Sequence, residues 1–362
     1  MNSPIPRPRI LDIAPYTPGL TKANAAPGTR VIKLSSNETP FGPSPHAILA
    51  YQEMADQLHL YPHAHGLGEA IGSVYGLDPK RIVCGAGSDE LISLLCLAYA
   101  GPGDDVLYSQ YGFLMYPISS KAVGANPISV PEQALKTDIM AILDYVTPKT
   151  KIVFIANPNN PTGSYNSREE LLTLRRALPS HILLVLDGAY REYVDHPDYT
   201  DGIDIMHDST NIVVTRTFSK IYGLANLRVG WCYCPAEIAD VLNRVRGPFN
   251  VSGPGIAAAI AAVHDQAFVD QARRHNHTWL AWFCREVASL GLTPHPSVAN
   301  FVLVTFPTGE KNAKNAHDFL MTHGIIARPV ANYGLPDCIR FTIGLGEDLE
   351  RVIAVLREFM EH

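Results

Sequence analysis

The segment Thr215-Arg216-Thr217-Phe218-Ser219-Lys220-Ile221-Tyr222-Gly223 places a lysine directly behind a run that reads as a buried strand. At the C-terminal edge of a sheet, where α/β proteins place their ligands, such an amine is partly stripped of water. Burial favours a neutral amine, the form that makes a Schiff base with an aldehyde. Thr217 and Ser219 add hydroxyls, and Arg228 follows eight residues after Lys220. Together they make a credible phosphate cradle beside a nucleophile. Taken alone, Ser-Lys in a loop is a weak signal, and an exposed lysine after a strand is its ordinary reading.

Four other features bear on that lysine. Gly85-Ala86-Gly87-Ser88-Asp89-Glu90 follows a strand and opens a helix, whose first N–H groups suit an anion. It matches neither a dinucleotide-binding glycine fingerprint nor a Walker A loop. Asn157-Pro158-Asn159-Asn160-Pro161-Thr162-Gly163 follows another apolar run and also reads as a simple turn. Asp187 ends the apolar run ILLVLD, with Tyr190 three residues on; its carboxylate suits either a helix N-cap or a protonated ring nitrogen. Tyr111 follows VLYS and suits either the core or stacking on a planar ligand.

Metal chemistry is not expected. His59, His63 and His65 cluster around Tyr61-Pro62, but Pro62 fixes an extended or turn conformation and no carboxylate pattern completes a site. The cysteines at 84, 96, 232, 234, 284 and 338 contain no CxxC pair. They read as free thiols of a reducing compartment, the cytoplasm.

The elements that must position these residues follow from periodicity. Strands are predicted at Arg81 to Cys84, Asp105 to Ser109, Lys151 to Ala156, His181 to Asp187, Asn211 to Thr217 and Leu227 to Cys234. Several are apolar on both faces, as strands between helix layers are. Ser167 and Glu170 form a capping box for a following helix, and Asp89 and Glu90 suit a helix start at Ser88. The order predicts an α/β fold with a mostly parallel sheet. From about residue 266 a long helix, three strand-like runs and a closing helix predict a smaller α+β domain. The expected division is an arm over 1–35 packing with the small domain, a large domain over 36–265 and a small one over 266–362.

The chain has 362 residues, 46% hydrophobic and 18% charged, with a formal net charge of -6. That balance excludes a mainly disordered chain and gives no footprint for nucleic acid or an acidic membrane face. No apolar run approaches the ~18 residues of a membrane span, and no signal peptide precedes the Pro-rich start.

The ordered set GSDE, NPNNPTG, LDGAY, TFSK and LRVG resembles the fold-type I aminotransferases that use pyridoxal 5'-phosphate, over nearly the whole chain. Within them it is most similar to the histidinol-phosphate subgroup, on Ile13-Ala14-Pro15-Tyr16-Thr17-Pro18-Gly19, the run from Leu34 to Pro45, Tyr61-Pro62, Tyr333-Gly334-Leu335-Pro336 and the run from Cys338 to Gly344. The resemblance implies amino transfer between L-histidinol phosphate and 2-oxoglutarate in histidine biosynthesis. Neighbouring readings are an aromatic amino-acid aminotransferase and a threonine-phosphate decarboxylase.

The resemblance also implies roles. Lys220 would carry the cofactor as a Schiff base and move the proton at the substrate α-carbon. Asp187 would pair with the pyridine nitrogen, Asn160 and Tyr190 would bond the ring oxygen, and Tyr111 would stack on the ring. Ser88, Asp89, Thr217, Ser219 and Arg228 would hold the phosphate, with Tyr61 reaching it from the neighbouring subunit of a homodimer. Asn37, Arg328 and Arg340 would bind substrate. Asn226, in LANLRVG, departs from the family's small residue and is expected to add at most a polar contact. A cofactor-binding transcription regulator lacks a helix-turn-helix arm here, and a nicotinamide oxidoreductase lacks its fingerprint.

Overall fold

The computed structural model describes residues 4–26, 28–62, 66–207 and 209–361. The arm ends in β1 (Ile32–Lys33). The middle of the chain then runs β2 (Ile82–Gly85), β3 (Asp105–Ser109), β4 (Asn126–Val130), the short β5 (Glu132–Gln133) and β6 (Lys136–Thr137), β7 (Thr150–Ala156), β8 (Leu183–Asp187), β9 (Ile212–Thr217) and β10 (Gly230–Tyr233). Seven of these form one sheet in the order β2-β10-β9-β8-β7-β3-β4. The ladder from β4 to β9 is parallel, and β10 runs antiparallel to both neighbours.

Alternation along each strand explains the layers. Val153, Ile155, Leu184, Leu186, Ile212 and Val214 join one apolar cluster. Their neighbours Ile152, Phe154, Leu183, Val185 and Val213 join another on the opposite face. A sheet buried on both faces needs continuous apolar strands, which is how the sequence reads. The strand β4 was not foreseen, because Pro127 in NPISV argues against a strand. It is tolerated because β4 is the sheet's edge, where a missing N–H breaks no inner ladder. The run Leu227 to Cys234 becomes strand only at Gly230, since residues 225–227 form a 3₁₀ turn and Arg228 is left-handed, φ 52°.

A second sheet follows the long helix Gln266–Ser289, with β11 (Thr293–Pro294), β12 (Phe301–Thr305), β14 (Arg328–Val330) and β15 (Leu335–Thr342) in the order β11-β12-β15-β14. Between β12 and β14 lies β13 (Ile325–Ile326), which pairs in parallel with β1 of the arm. Ile32 and Leu34 are buried with Phe283, Val302, Val304 and Phe341. The long helix serves both cores, with Val269 and Ala272 in the first and Leu280, Phe283 and Val287 in the second.

His63 and His65 lie outside the described residues. Among the described residues no cluster of His, Cys, Asp and Glu could hold a metal ion, and no helix is long and apolar enough to cross a membrane. The six cysteines are free thiols. Burial pushes Cys84 and Cys96 up to about 12, leaving them as protonated, inert thiols at neutral pH.

Candidate active site

The parallel strands end in step. Ala156 of β7 pairs with Asp187 of β8, and Asp187 pairs with Thr215 of β9. The loops after these strands therefore emerge side by side at the carboxyl edge of the sheet, where open α/β sheets bind ligands. A cavity opens there, lined by Asn160, Asp187, Tyr190, Thr217, Ser219 and Lys220. Ser88, Asp89 and Arg228 line it too, as do Asn37, Arg328 and Arg340 from the arm and the second sheet.

One cluster is built for an anion. The helix Ser88–Tyr99 starts without a side-chain cap, behind Gly87 at φ 84°. Its first-turn N–H groups have no intrahelical acceptors, and the helix dipole adds positive potential. Arg228 Nη1 donates to Ser219 Oγ at 3.1 Å, and its Nη2 meets Asp89 Oδ2 at 3.1 Å. A left-handed φ is strained for arginine, and such strain gathers at functional positions. Space is kept by glycine. A Cβ on Gly230 would lie 2.4 Å from the backbone nitrogen of Ser88, and one on Gly87 would lie 2.4 Å from Arg228 Nη2.

Gly230→Ala must therefore push back the helix start. Affinity for pyridoxal 5'-phosphate, the cofactor that the sequence resemblance implies, should fall at least ~10-fold, or about 1.4 kcal/mol, with far-UV circular dichroism retained. A titration giving wild-type affinity would show that the close approach does not matter.

The reactive groups stand beside this cradle. Lys220 is partly buried; its Nζ donates to the Ser36 carbonyl at 3.3 Å and lies 5.5 Å from the centre of the Tyr190 ring. Asp187 is buried, accepting from Tyr116 Oη at 2.8 Å and from the Ala189 N–H at 3.2 Å. Burial pushes its carboxyl above the ordinary value, and these bonds pull back. Tyr190 Oη accepts from Asn37 Nδ2 at 2.9 Å, so its own proton is available to a ligand. Asn37 is itself fixed, at φ 56°, by Thr342 and Asn300.

The two arginines are set by strand register, for Arg328 of β14 pairs directly with Arg340 of β15. Directly paired residues point to the same face of a sheet. Both are buried. Arg328 donates to the Thr17 carbonyl at 2.9 Å. Arg340 donates to the Ser35 carbonyl at 2.9 Å and to Asn160 Oδ1, while its Nε is buried with no protein partner among the described residues. Burial lowers the Arg340 pKa, and Tyr190 and Tyr333 oppose that shift. An anion would satisfy what the protein leaves open around these guanidinium groups.

One residue expected here is not brought to this cavity. Tyr111 does not line it; Phe113 does, and the Tyr111 ring lies against Gly334. Phe113, two residues on, thus takes the place in the cavity lining expected for Tyr111, since the turn after β3 carries two aromatics and only its path separates them. Tyr61 is 77% exposed and stacks on Phe249 at 4.6 Å. Asn226 is exposed and does not line the cavity. Tyr16, Tyr116 and Tyr333 line it and were not foreseen as site residues. Tyr16 and Tyr333 lie inside motifs already singled out, and Tyr116 closes the bulky run that begins at Tyr111, which reads from sequence only as crowding the stacking position.

Residues 29–356 match the family model of class I and II aminotransferases. The chain belongs to that family, and its two sheets are the fold-type I architecture. Histidinol-phosphate aminotransferases from one Rhodopseudomonas palustris strain and from Paramagnetospirillum magneticum are 53% and 52% identical to it, each over 99% of both chains. The crystal structure of histidinol-phosphate aminotransferase from Sinorhizobium meliloti in complex with pyridoxal-5'-phosphate is 31% identical. It has a TM-score of 0.86 and covers 94% of this chain and 92% of that one. Within the family, the chain groups with histidinol-phosphate aminotransferases.

Proposed function

We propose that the cavity binds pyridoxal 5'-phosphate and that the protein moves an amino group between L-histidinol phosphate and 2-oxoglutarate, a step of histidine biosynthesis. The carrying observation is the register that sets Arg328 opposite Arg340 in a cavity shared with Lys220 and a separate anion cradle. The donor set fits the cofactor: an uncapped helix start with Arg228 and Ser219 for its phosphate, a buried carboxylate for its ring nitrogen, and an amine for its aldehyde. When bound, the cofactor supplies that aldehyde and a cationic ring that accepts the electron pair left by a departing α-proton.

The chain's residues do the rest. Lys220 would hold the cofactor through its aldehyde, and its Nζ, once freed by the substrate amine, would take the α-proton and deliver it to the cofactor's aldehyde carbon. Asp187 would keep a proton on the ring nitrogen, Tyr190 and Asn160 would hydrogen-bond the ring oxygen, and Phe113 would cover the ring face. Glutamate has two carboxylates, whereas histidinol phosphate has a phosphate and no carboxylate. Two buried guanidinium groups suit both partners. The aromatic amino-acid reading leaves the phosphorylated substrate of the 53% identical relatives unexplained.

Tyr61 is proposed to reach the phosphate of the neighbouring subunit in a homodimer. Its exposure supports this, as do exposed Ile48, Leu49, Leu58 and Leu60 near it in sequence. The free thiols suit the cytoplasm.

Wild-type kcat/KM should favour histidinol phosphate over phenylalanine and tyrosine by more than ~10-fold. Arg328→Gln should cut kcat/KM for the phosphorylated substrate by about 10- to 100-fold, the range for lost charge-assisted bonds, and narrow that preference. Equal wild-type rates on all three amines would overturn the assignment.

A further inference from the structure

We propose that Tyr116 is a positioning residue for amino transfer: it holds the Asp187 carboxylate ionised and aimed at the ring nitrogen of the cofactor. The inference rests on the reading of the cavity as a pyridoxal-phosphate site.

Tyr116 sits in the first turn of the helix Met115–Ala122 and is fully buried. Its ring is stacked on Phe154 of β7 at 4.6 Å and 7°, with Phe113 edge-on at 5.9 Å. Packed on two aromatic rings, it has little rotational freedom. Its hydroxyl is thus delivered to one place, Asp187 Oδ2 at 2.8 Å. The other oxygen, Oδ1, accepts from the Ala189 N–H at 3.2 Å. The two bonds fix the carboxylate plane from the helix layer and from its own loop.

The direction of the proton is also settled. Burial and the Asp187 carboxylate both raise the Tyr116 pKa well above its ordinary value, so it donates throughout the working pH range. Asp187 is under the opposite pressure, since burial favours its protonated form, which cannot neutralise a cationic ring. Asp89 on the helix Ser88–Tyr99 adds a like charge. Tyr190 and Lys220 face the same cavity from the loops after β8 and β9. Among these groups it is Tyr116 that donates to Asp187 Oδ2.

Tyr116→Phe removes the hydroxyl and keeps the ring on Phe154. A hydrogen bond to a carboxylate stabilises the charged form, so its loss raises the pH at which Asp187 takes up a proton. The acid limb of the kcat profile should move up by about one pH unit, and kcat should fall about 10- to 100-fold with KM within about two-fold. In an Asp187→Asn background the same change should cost less than about two-fold, since coupled residues are not additive.

The decisive measurement is binding to the apoprotein. Tyr116→Phe should weaken pyridoxal 5'-phosphate about 10-fold yet bind 1-deazapyridoxal 5'-phosphate, with carbon in place of the ring nitrogen, as the wild type does. Equal losses for both, or an unmoved acid limb, would reduce Tyr116 to a packing residue and overturn the inference. Wild-type apoprotein that binds neither compound would instead overturn the cofactor reading itself, and the inference with it.

Discussion

Lys220→Ala is expected to lose transamination almost completely, with kcat down by about 10⁴-fold or more. Proton transfer by a positioned side chain contributes about 10² to 10⁴ by itself. On the proposed reading the same amine is also the nucleophile, so both contributions vanish together. The fold should survive. Lys220 is only partly buried, and its side-chain hydrogen bond is a 3.3 Å contact with the Ser36 carbonyl. Its removal should shift the melting temperature by no more than about 4 °C. Lys220→Arg should be as inactive as the alanine variant, because a guanidinium keeps the charge but never becomes a neutral amine. Appreciable turnover in either variant would show that another group carries the proton. The wild type should also be yellow, a colour that borohydride removes and that neither variant can form through residue 220.

Asp187→Asn should be the next largest loss, about 10² to 10³ in kcat, the range for removing one preorganised electrostatic group. The substitution is nearly isosteric. Asparagine can still accept from Ala189 N–H or Tyr116 Oη, the two donors that now hold the carboxylate. What disappears is the negative charge opposite the ring nitrogen, so substrate KM should change far less than kcat. A variant that raises KM and leaves kcat alone would place Asp187 in substrate binding instead. The acid side of the wild-type profile belongs to the same group. The Asp187 pKa is raised by burial, so its ionised form is lost as pH falls through a value above its own ordinary one.

Much of the site was legible because its chemistry sits at strand ends. Asp187, Thr217 and Lys220 stand at the ends of apolar runs, and although each has an ordinary reading alone, their common position at one sheet edge sets them apart. Arg340, inside the apolar run CIRFTIG, came from the family resemblance instead. Residues that act from a turn or across layers were harder. Phe113 and Tyr111 are two residues apart on one loop, and which of them faces the ligand depends on backbone path. The left-handed Arg228 could not be read from LRVG. Arg216 read as a strand residue between two hydroxyls. It is a buried cation held by Glu192 at 2.8 Å and by Asp201, with the Tyr75 and Trp231 rings against it. Its partners lie 15 and 24 residues away in sequence, and no local pattern marks them.

The arm also acts as a ruler. Leu34 is locked to both strands beside it, donating to the Ile326 carbonyl at 2.8 Å and accepting from Thr342 N–H at 3.0 Å. The next two carbonyls, of Ser35 and Ser36, take Arg340 and Lys220 respectively. One peptide unit thus sets the spacing between Arg340, proposed to grip a substrate anion, and Lys220, proposed to perform the chemistry. A residue inserted between Leu34 and Ser35 would shift both carbonyls by one position. A site that serves a short dicarboxylate and a longer phosphorylated amine must find its adjustable length elsewhere. Arg328 offers it, because its anchor is the Thr17 carbonyl in the outer part of the arm, beyond the paired strand.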